Sequence, residues 1–440
     1  MIRLENSNNE LVIKFQFFSF WVKMNLMKAQ KTRKYDIVVG IPSFNNEKTI
    51  EHVLKAVSFG LVKYFPNFSS LVVNSDGGSK DKTTQIFKNY CLNGCDLNSV
   101  IFHQYHPANK KLKKPAKISL RYEGTPGKGS ALKAVFKLAV KHGAKVCVVV
   151  DSDLRSITPE WIQLLAAPII YQDFDYVTPL YSRHKYDGTI TNSIIYPLTR
   201  ALYGKNIRQP IGGEFGISNT LLKNFLKQGV QNTEIAKFGI DIWMTTTAVA
   251  EGYNIAQVFL GAKLHDAKNP SESLGPMFSQ AITTLFKLMD KYQEVWKKTK
   301  KEKTTALFGF ETEVEPAPIQ INEKHLIKKF KEGFRNFKKI YKKILSPETY
   351  KNIKRGRLLK FNPKLWTECI YEIALAFHKN RYDEETQRKL IEILVPLYFG
   401  FVAGFSEATK GISSHESEIF IEKIYEEFEG KKPFLSKLWK

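Results

Sequence analysis

Two aspartates one residue apart, Asp151 and Asp153, follow directly on an apolar run in the sequence VVVDSDLRSITPEW (148–161). Valine-rich runs exclude water, so carboxylates at their end are costly unless positive charge offsets them. Two carboxylates this close together favour a hard divalent cation, which prefers oxygen ligands. The alternative is an ordinary turn in which Asp153 caps the following helix.

An alternation of strands and helices positions these aspartates. Apolar runs predict strands at 35–42, 69–77, 99–105 and 145–153, and helical spacing predicts helices at 49–64 and 127–143. Strands that are hydrophobic throughout indicate a parallel sheet covered by helices, an α/β fold. Because ligands bind such sheets at the carboxyl ends of the strands, the polar residues at those ends are candidates for a site.

From about residue 271 the pattern is helical. Long helical runs cover 284–298, 325–345, 365–379 and 387–407, and a linker rich in prolines and acidic residues covers 308–322. We therefore predict an N-terminal extension at 1–34, an α/β domain at 35–270 and an all-α C-terminal region at 271–440.

The composition is that of a soluble globular protein, with 43% hydrophobic and 13% aromatic residues in a chain of 440. The net charge of +24 suits anionic partners, or it reflects a lysine-rich solvated surface. The charge is concentrated at 297–303 and 328–343, where aromatic residues recur every three or four positions. This spacing is typical of a helix that packs on a core rather than of a platform for stacking bases. We therefore expect no nucleic-acid partner.

The cysteines and the N-terminal segment bear on location. Four cysteines in a chain this long do not make a disulfide framework, which favours a reducing cytoplasm. The apolar stretch at 11–24 is short and interrupted by lysine, and no small-residue cleavage site follows it. We therefore expect neither a signal peptide nor an integral membrane segment.

Seven motifs occur in order between residues 35 and 280. They are IPSFNNEKTI, VVNSDGGSKDKT, GTPGKGSAL, VVVDSDL, QPIGGEFGIS, FGIDIW and GAKLHDAKNP. Together they resemble the retaining GT-A glycosyltransferases that make mannosylglycerate, glucosylglycerate and glucosyl-3-phosphoglycerate. The helical tail is similar to the C-terminal extension of the mannosylglycerate synthases. The resemblance implies a Rossmann-like, mostly parallel sheet with helices on both faces and an all-α extension.

This resemblance implies which residues contact the nucleotide sugar. By position they are Pro42, Ser43, Phe44, Glu47, Asp76, Lys128, Ser152, Gly213 and Glu214. Lys128 lies between two glycines at a helix start, where close backbone approach and the helix dipole favour an anion. Glu47 and Asp76 each have a local alternative, as a helix-capping residue and as a turn aspartate.

The resemblance also implies a site for Mn²⁺ or Mg²⁺ formed by Asp151, Asp153 and His265. An isolated histidine is usually a packed or surface residue, but in this family a histidine far downstream of the aspartates completes the metal site. Imidazole beside carboxylates suits Mn²⁺ better than Mg²⁺. The family often has arginine after this histidine, where this chain has Asp266, so Lys268 is the candidate to supply that charge.

An acceptor pocket is implied by YSRHKYDGTITNS. Arg183, Asp187 and Thr191, at spacings of four and eight, resemble the glycerate pocket of the mannosylglycerate synthases. There an arginine fork can hold a carboxylate. Relatives that use phosphoglycerate carry arginine where this chain has Thr189, next to Gly188, which favours an unphosphorylated acceptor. The alternative is that Arg183 pairs with Asp187 on a helix face.

We therefore expect a retaining enzyme that transfers glucose or mannose from a nucleotide diphosphate sugar to D-glycerate. In this scheme Asp151 and Asp153 act in catalysis through the metal or sugar, and Asp241 orients hydroxyl groups rather than attacking the anomeric carbon. GDP-mannose, GDP-glucose and UDP-glucose remain open as donors. Related enzymes are often dimers, so a homodimer through the helical tail also remains open.

Four alternatives remain beside this expectation. Three are enzymes: a glucosyl-3-phosphoglycerate synthase, an inverting GT-A enzyme of glycan or glycolipid synthesis, and a sugar-phosphate nucleotidyltransferase. The last needs a glycine-rich basic loop after the first strand, which IPSFNNE is not. The fourth is a basic nucleic-acid-binding protein, whose affinity would fall steeply with salt.

Overall fold

The fold was analysed in a computed structural model that describes residues 33–92, 113–228, 234–264, 274–300, 302–311, 316 and 318–440. Three sequence predictions concern other residues. The extension at 1–34 lies almost wholly outside the described residues, and so do the strand at 99–105 and the boundary between 270 and 271. These three stay predictions.

Eight strands of the described residues form one sheet at the centre of the molecule. Its strands are β1 (Ile37–Ser43), β2 (Ser70–Asp76), β3 (Ala116–Arg121), β4 (Val146–Val149), β5 (Tyr176–Ser182), β6 (Phe215–Ser218), β7 (Ile255–Ala262) and β8 (Ala306–Phe308). Their spatial order is β3-β2-β1-β4-β6-β5-β7-β8. Every neighbouring pair is parallel except those of β6, which runs antiparallel to β4 and β5. The predicted mostly parallel α/β sheet is therefore confirmed.

Helices cover this sheet and form the last part of the chain. The first group is α1 (Ile50–Tyr64), α2 (Thr83–Asn89), α3 (Lys128–Lys141), α4 (Pro159–Tyr171), α5 (Tyr196–Tyr203), α6 (Asn219–Gln228) and α7 (Ile240–Ala250). The second is α8 (Leu274–Lys291), α9 (Gln293–Lys298), α10 (Glu323–Asn336), α11 (Lys338–Ile344), α12 (Pro347–Lys354), α13 (Pro363–Lys379), α14 (Glu384–Ala408) and α15 (Glu418–Leu438). The predicted C-terminal helical extension is confirmed, but strand β8 joins the sheet by pairing with β7 from within 271–440, so the all-α region begins with α10.

The predicted strand at 145–153 is too long at its carboxyl end. Strand β4 ends at Val149, although the backbone N–H of Val150 still donates to the carbonyl of Gly40 at 3.1 Å. The paired aspartates therefore lie in the loop that follows β4. Isolated valines would extend the strand, but β6 pairs with β4 only from Val146 to Val149, so the ladder ends there.

The helical region packs directly on the α/β part. One continuous hydrophobic cluster runs from Val38 on β1 through Trp243 on α7 to Trp366 on α13 and Trp439. Helix α14 is the longest helix of this cluster, at 25 residues. By length and composition alone, α14 is long and apolar enough to cross a membrane. However, 78% of its most apolar stretch is buried inside the protein, as in the core helix of a globular domain.

Candidate active site

The loop after β4 opens into a cavity of about 720 Å³ at the carboxyl ends of the central strands. Among the residues that line it are Pro42, Ser43, Phe44, Lys128, Asp151, Ser152, Asp153, Arg183, Asp187, Gly188, Thr189, Thr191, Gly213 and Asp241. The structure therefore brings most of the predicted donor and acceptor residues to one surface. Glu214 lies fully buried, while His265, Asp266 and Lys268 lie outside the described residues.

Two lysines form ion pairs with Asp151, the first aspartate of the pair. The Nζ atom of Lys128 lies 2.9 Å from Oδ1 of Asp151, and the Nζ atom of Lys263 lies 3.5 Å from Oδ2. Burial alone would raise the pKa of Asp151, but the charges of the two lysines outweigh it and hold that pKa well below its usual value. Asp151 is therefore ionised, and its carboxylate is oriented by cations on both sides.

Lys128 also bridges to Asp241 at the start of α7. Its Nζ atom lies 3.2 Å from Oδ2 of Asp241. Burial alone would lower the pKa of Lys128, but the carboxylates of Asp151 and Asp241 outweigh it and raise that pKa. Burial raises the pKa of Asp241, and Lys128 offsets this only in part. Oδ1 of Asp241 is buried without a hydrogen-bond partner in the described structure, as expected of an acceptor kept for a ligand hydroxyl.

Lys263 is a site residue that the sequence analysis missed. It follows β7, and its ammonium donates to the carbonyl of Gly212 at 2.8 Å and to both oxygens of Glu214, at 2.8 and 3.1 Å. The hydroxyl of Tyr181 donates to the same Glu214 carboxylate. Burial raises the pKa of Glu214 although Lys263 opposes it. Glu214 therefore holds Lys263 against Asp151. The sequence signal that could have identified Lys263 is its position within GAKLH, at the end of an apolar strand.

Position 213 requires glycine, because of its backbone conformation and because a side chain would have no room. Its φ is +100°, and a Cβ there would lie 2.4 Å from Oδ2 of Asp151 and 2.9 Å from Nζ of Lys263. The glycines that flank Lys128 also allow close packing, and since Gly127 lines the cavity their predicted approach to a ligand stays a prediction. A Cβ on Gly127 or Gly129 would lie 2.5 Å or less from backbone oxygens of the 235–236 segment, so they allow α3 to pack against that segment.

The loop after β1 supplies one wall of the cavity. The ring of Phe44 is 59% exposed, and Ser43 donates through its hydroxyl to Asn74 at 2.7 Å. Ser152 joins this loop to the aspartate pair, because its hydroxyl donates to the side chain of Asn46 at 2.8 Å. These contacts fix the spacing between the predicted nucleoside loop and the two aspartates.

Glu47 and Asp76 are engaged in local structure. Asp76 accepts from the backbone N–H groups of Gly78 and Ser79 at 2.8 and 2.9 Å, which is the turn role named as its alternative. Glu47 accepts from the backbone N–H of Lys82 at 3.0 Å and so braces two loops. Their predicted contacts with a base or ribose stay predictions.

Of the predicted acceptor residues, Arg183, Asp187 and Gly188 lie in the loop after β5, whereas Thr189 and Thr191 lie in the helical segment that follows. Nε of Arg183 lies 3.4 Å from Oδ2 of Asp187, so the predicted alternative pairing does occur. That Nε atom is nevertheless buried without a hydrogen-bond partner of good geometry. Gly188 adopts φ +70°, and a Cβ there would lie 3.0 Å from Nη1 of Arg183. Thr191 begins a π-helical turn (Thr191–Ile195), a feature common at functional sites.

The described carboxylates alone do not form a metal cluster, since no group of three potential ligands occurs among the residues placed by the structure. The donor set still fits a hard divalent cation. Asp153 lines the cavity two residues from Asp151, and carboxylate oxygens are the ligands such cations prefer. The predicted third ligand, His265, directly follows the last described residue of this segment, Leu264.

A mostly parallel sheet carrying paired aspartates beside lysines, and opening to a cavity of nucleotide-sugar size, defines a glycosyltransferase of the GT-A fold. Residues 111–284 match the family described as "Mannosylglycerate synthase, GT domain". This match confirms the fold and enzyme class that the sequence motifs indicated, in a chain with an additional all-α region.

The chain is also similar to individual relatives. A glucosyl-3-phosphoglycerate synthase from Petrotoga mobilis is 26% identical over 305 residues, covering 65% of this chain and 83% of that protein. The glucosyl-3-phosphoglycerate synthase from Mycobacterium tuberculosis in complex with Mn²⁺, UDP-glucose and phosphoglyceric acid is 25% identical, with 58% and 80% coverage and a TM-score of 0.43. Its complex with Mg²⁺ and UDP is 24% identical, with 58% and 79% coverage and a TM-score of 0.42.

Proposed function

We propose that this enzyme transfers a hexose, glucose or mannose, from a nucleotide diphosphate sugar to D-glycerate with retention of the anomeric configuration. One observation carries the proposal. A single cavity contains both the paired aspartates, with their lysines, and the Arg183–Asp187–Thr191 set. The family description and the name of the Petrotoga mobilis relative both point to an acceptor of the glycerate type.

The donor diphosphate belongs beside Lys128 and Asp153. Lys128 follows Gly127 at the start of α3, where the helix dipole favours negative charge. Asp153, with His265, would hold Mn²⁺ or Mg²⁺. A cation bound there would neutralise negative charge on the leaving diphosphate. Lys263 keeps Asp151 turned toward this region by a buried ion pair.

The acceptor belongs beside Arg183, whose guanidinium can hold the glycerate carboxylate. The observation favouring an unphosphorylated acceptor is the environment of Thr189. This uncharged side chain is only 3% exposed and its hydroxyl lies 2.5 Å from that of Tyr398. The neighbouring cation, Lys185, donates to two backbone carbonyls and is 9% exposed. In the described part of this loop, a phosphate would therefore find no second cationic side chain that is available in the way Arg183 is.

Retention is proposed from the resemblance, and it assigns Asp241 an orienting role that the surroundings of this side chain support. Asp241 is fixed by Lys128 and presents a buried oxygen without a partner, which suits it to accept from a substrate hydroxyl. In this role it orients the sugar or acceptor and forms no bond to the anomeric carbon. The acceptor hydroxyl attacks the face that the diphosphate leaves, and an oxygen of the leaving phosphate takes its proton.

The proposal includes a cytoplasmic location and a homodimer. Cys91, Cys147 and Cys369 are free thiols in the described chain, which accords with a reducing compartment. Light scattering on the purified protein tests the dimer. The proposal includes no nucleic-acid partner, and tight binding of a nucleic-acid probe that falls steeply with salt would contradict it.

The decisive experiment is a panel of GDP-mannose, GDP-glucose and UDP-glucose against D-glycerate and 3-phosphoglycerate, each with Mn²⁺ or Mg²⁺. We expect transfer to glycerate and an α linkage in the first-formed product, read from the anomeric coupling by proton NMR. A β product would assign the protein to the inverting enzymes. Better use of 3-phosphoglycerate than of glycerate would overturn the acceptor assignment and leave the glycosyltransferase class standing.

A further inference from the structure

The acceptor loop, defined here as residues 183–190, is held mainly by the all-α region. The hydroxyl of Tyr186 donates to the carbonyl of Ser406 at 3.1 Å. The ammonium of Lys185 donates to the carbonyl of Thr409 at 2.7 Å and to that of Ile412 at 2.5 Å. All three carbonyls lie at the carboxyl end of α14 or just beyond it. The loop is thus fastened to a helix that follows it by some two hundred residues.

The position of Lys185 has a clear physical cause. The last carbonyls of a helix lack intrahelical donors and carry the negative end of its dipole, so a cation there is stabilising. Thr409 is the C-cap residue of α14, and no basic residue lies in the last turn of that helix. Lys185 supplies this charge from outside the helix. Its ammonium is thereby committed to fixing the loop.

A second contact from α14 is made to Thr189, a side chain that faces the cavity. The hydroxyl of Tyr398, on α14, lies 2.5 Å from Oγ1 of Thr189. The Tyr398 ring is 1% exposed and packs on Phe278 of α8 with centroids 4.7 Å apart. Thr189 lines the cavity. When the phenol donates to Oγ1, the Thr189 hydroxyl keeps its own proton for another acceptor.

The backbone of Thr189 is fixed from the same side. Its carbonyl accepts from the hydroxyl of Ser193 at 2.7 Å, and the carbonyl of Ser193 accepts from the indole N–H of Trp366 on α13 at 2.8 Å. The direction of the Thr189 side chain is therefore set by two helices of the all-α region. Both helices lie beyond residue 284, where the match to the family ends.

We propose that Tyr398 and Lys185 are positioning residues for the acceptor: Lys185 fastens the acceptor loop to α14, and Tyr398 holds the Thr189 hydroxyl with its proton toward the bound acceptor. This inference rests on the proposed function and extends it, because it makes the all-α region part of the acceptor site. Neither Lys185 nor Tyr398 is among the residues that line the cavity.

The test uses Tyr398→Phe and Lys185→Met with matched controls. Tyr371→Phe removes another buried phenol, which donates to the carbonyl of Phe428 at 2.7 Å. Lys432→Met removes another buried ammonium, which donates to the carbonyls of Ala201 and Leu202 at 2.7 and 3.0 Å. All four are assayed for thermal stability and for KM toward each substrate.

We expect Tyr398→Phe and Lys185→Met each to raise KM for glycerate about three- to tenfold, the size of one lost hydrogen bond, with KM for the nucleotide sugar unchanged. The two controls should lower thermal stability by a similar amount and leave both KM values at the wild-type level. Adding Tyr398→Phe to Thr189→Val should raise KM no further, because Tyr398 acts through that hydroxyl.

Two results would overturn the inference while leaving the proposed function intact. One is a wild-type KM for glycerate in a folded Tyr398→Phe or Lys185→Met variant. The other is a rise in KM that the controls share or that affects both substrates equally, which would indicate a purely structural role. Failure of the wild-type enzyme to transfer hexose to glycerate would instead remove the proposed function and this inference together.

Discussion

At the scale of single residues, Asp151 and Asp153 have different surroundings although they are two positions apart. Asp151 is enclosed by the ammonium groups of Lys128 and Lys263. Asp153 lines the cavity, and two residues beyond it the backbone N–H of Arg155 donates to the carbonyl of Leu264 at 2.9 Å. We therefore assign the cation mainly to Asp153 and the alignment of the lysines to Asp151.

Replacing Asp153 by alanine should abolish transfer, because the carboxylate is needed to hold the divalent cation that neutralises the diphosphate. Nucleotide-sugar binding measured by calorimetry in Mn²⁺ should weaken, and the remaining affinity should no longer respond to Mn²⁺. In the wild type, excess chelator should reproduce this loss. Full wild-type activity in excess chelator would rule out the metal.

The acceptor side gives a prediction about specificity. A phosphate buried without a guanidinium partner should cost roughly 1.5–3 kcal/mol, so glycerate should be preferred about tenfold to a hundredfold in kcat/KM. Thr189→Arg should shift this preference toward 3-phosphoglycerate. Arg183→Ala should remove most activity with glycerate while donor binding stays near wild type. A Thr189→Arg variant with unchanged acceptor preference would contradict our interpretation of this pocket.

At the scale of elements, α1 and α4 are joined by a cluster near the surface. Glu160, in the first turn of α4, accepts from the hydroxyl of Tyr64 at 2.6 Å and from Nζ of Lys63 at 3.1 Å. Partial burial alone would raise the pKa of Glu160, but these hydrogen bonds and its helix-start position lower it to about 2. The ionised form is therefore favoured by folding.

Glu160→Gln should lower the free energy of unfolding at pH 7, by at most about 1 kcal/mol because the side chain is half exposed. Because the pKa of Glu160 is depressed in the folded state, its ionised form stabilises the protein at pH values above the unfolded pKa of 4.5. This stabilisation is lost as the pH falls toward 2. The difference between variant and wild type, measured by urea unfolding, should therefore shrink between pH 5 and about 2. A difference that is constant across this range would show that charge is not involved.

How far the sequence predicts these elements depends on the range of the contacts that form them. Strand β1 and helix α3 were predictable because an apolar run and helical spacing are local signals. Strand β6 is four residues long and antiparallel, so no local pattern distinguishes it from a turn. Lys263 reaches Gly212 across 51 residues, and Thr189 reaches Tyr398 across 209, which a periodic pattern cannot reveal.

At the scale of the whole molecule, one arginine joins the α/β part to the last helix. Arg200 on α5 donates to Glu422 on α15 at 2.7 Å and to Glu302 at 3.1 Å. Its guanidinium also lies 3.8 Å from the ring centre of Tyr425. Arg200 is only 9% exposed, whereas the side chains of Glu302 and Glu422 are 35% and 43% exposed, so solvent screens these charge-assisted contacts in part.

Arg200→Met should lower the free energy of unfolding by about 1–3 kcal/mol, the range for lost hydrogen bonds to charged groups. The matched control is Lys298→Met, which breaks an ion pair to Glu294 whose partners are 78% and 74% exposed. That control should change stability by less than about 0.5 kcal/mol. Equal effects of the two variants in thermal unfolding would contradict a stabilising role for the Arg200 cluster.

The attachment of the acceptor loop to α14 also constrains how the protein is made. Lys185 has its carbonyl partners 224 and 227 residues later in the chain, so a ribosome must translate beyond residue 412 before the loop can adopt its native form. Until then the nascent chain exposes apolar surface that α14 and α15 later cover. Contacts of such long range form slowly and leave intermediates prone to aggregation. Chaperone capture of the growing polypeptide should therefore persist until the all-α region has emerged.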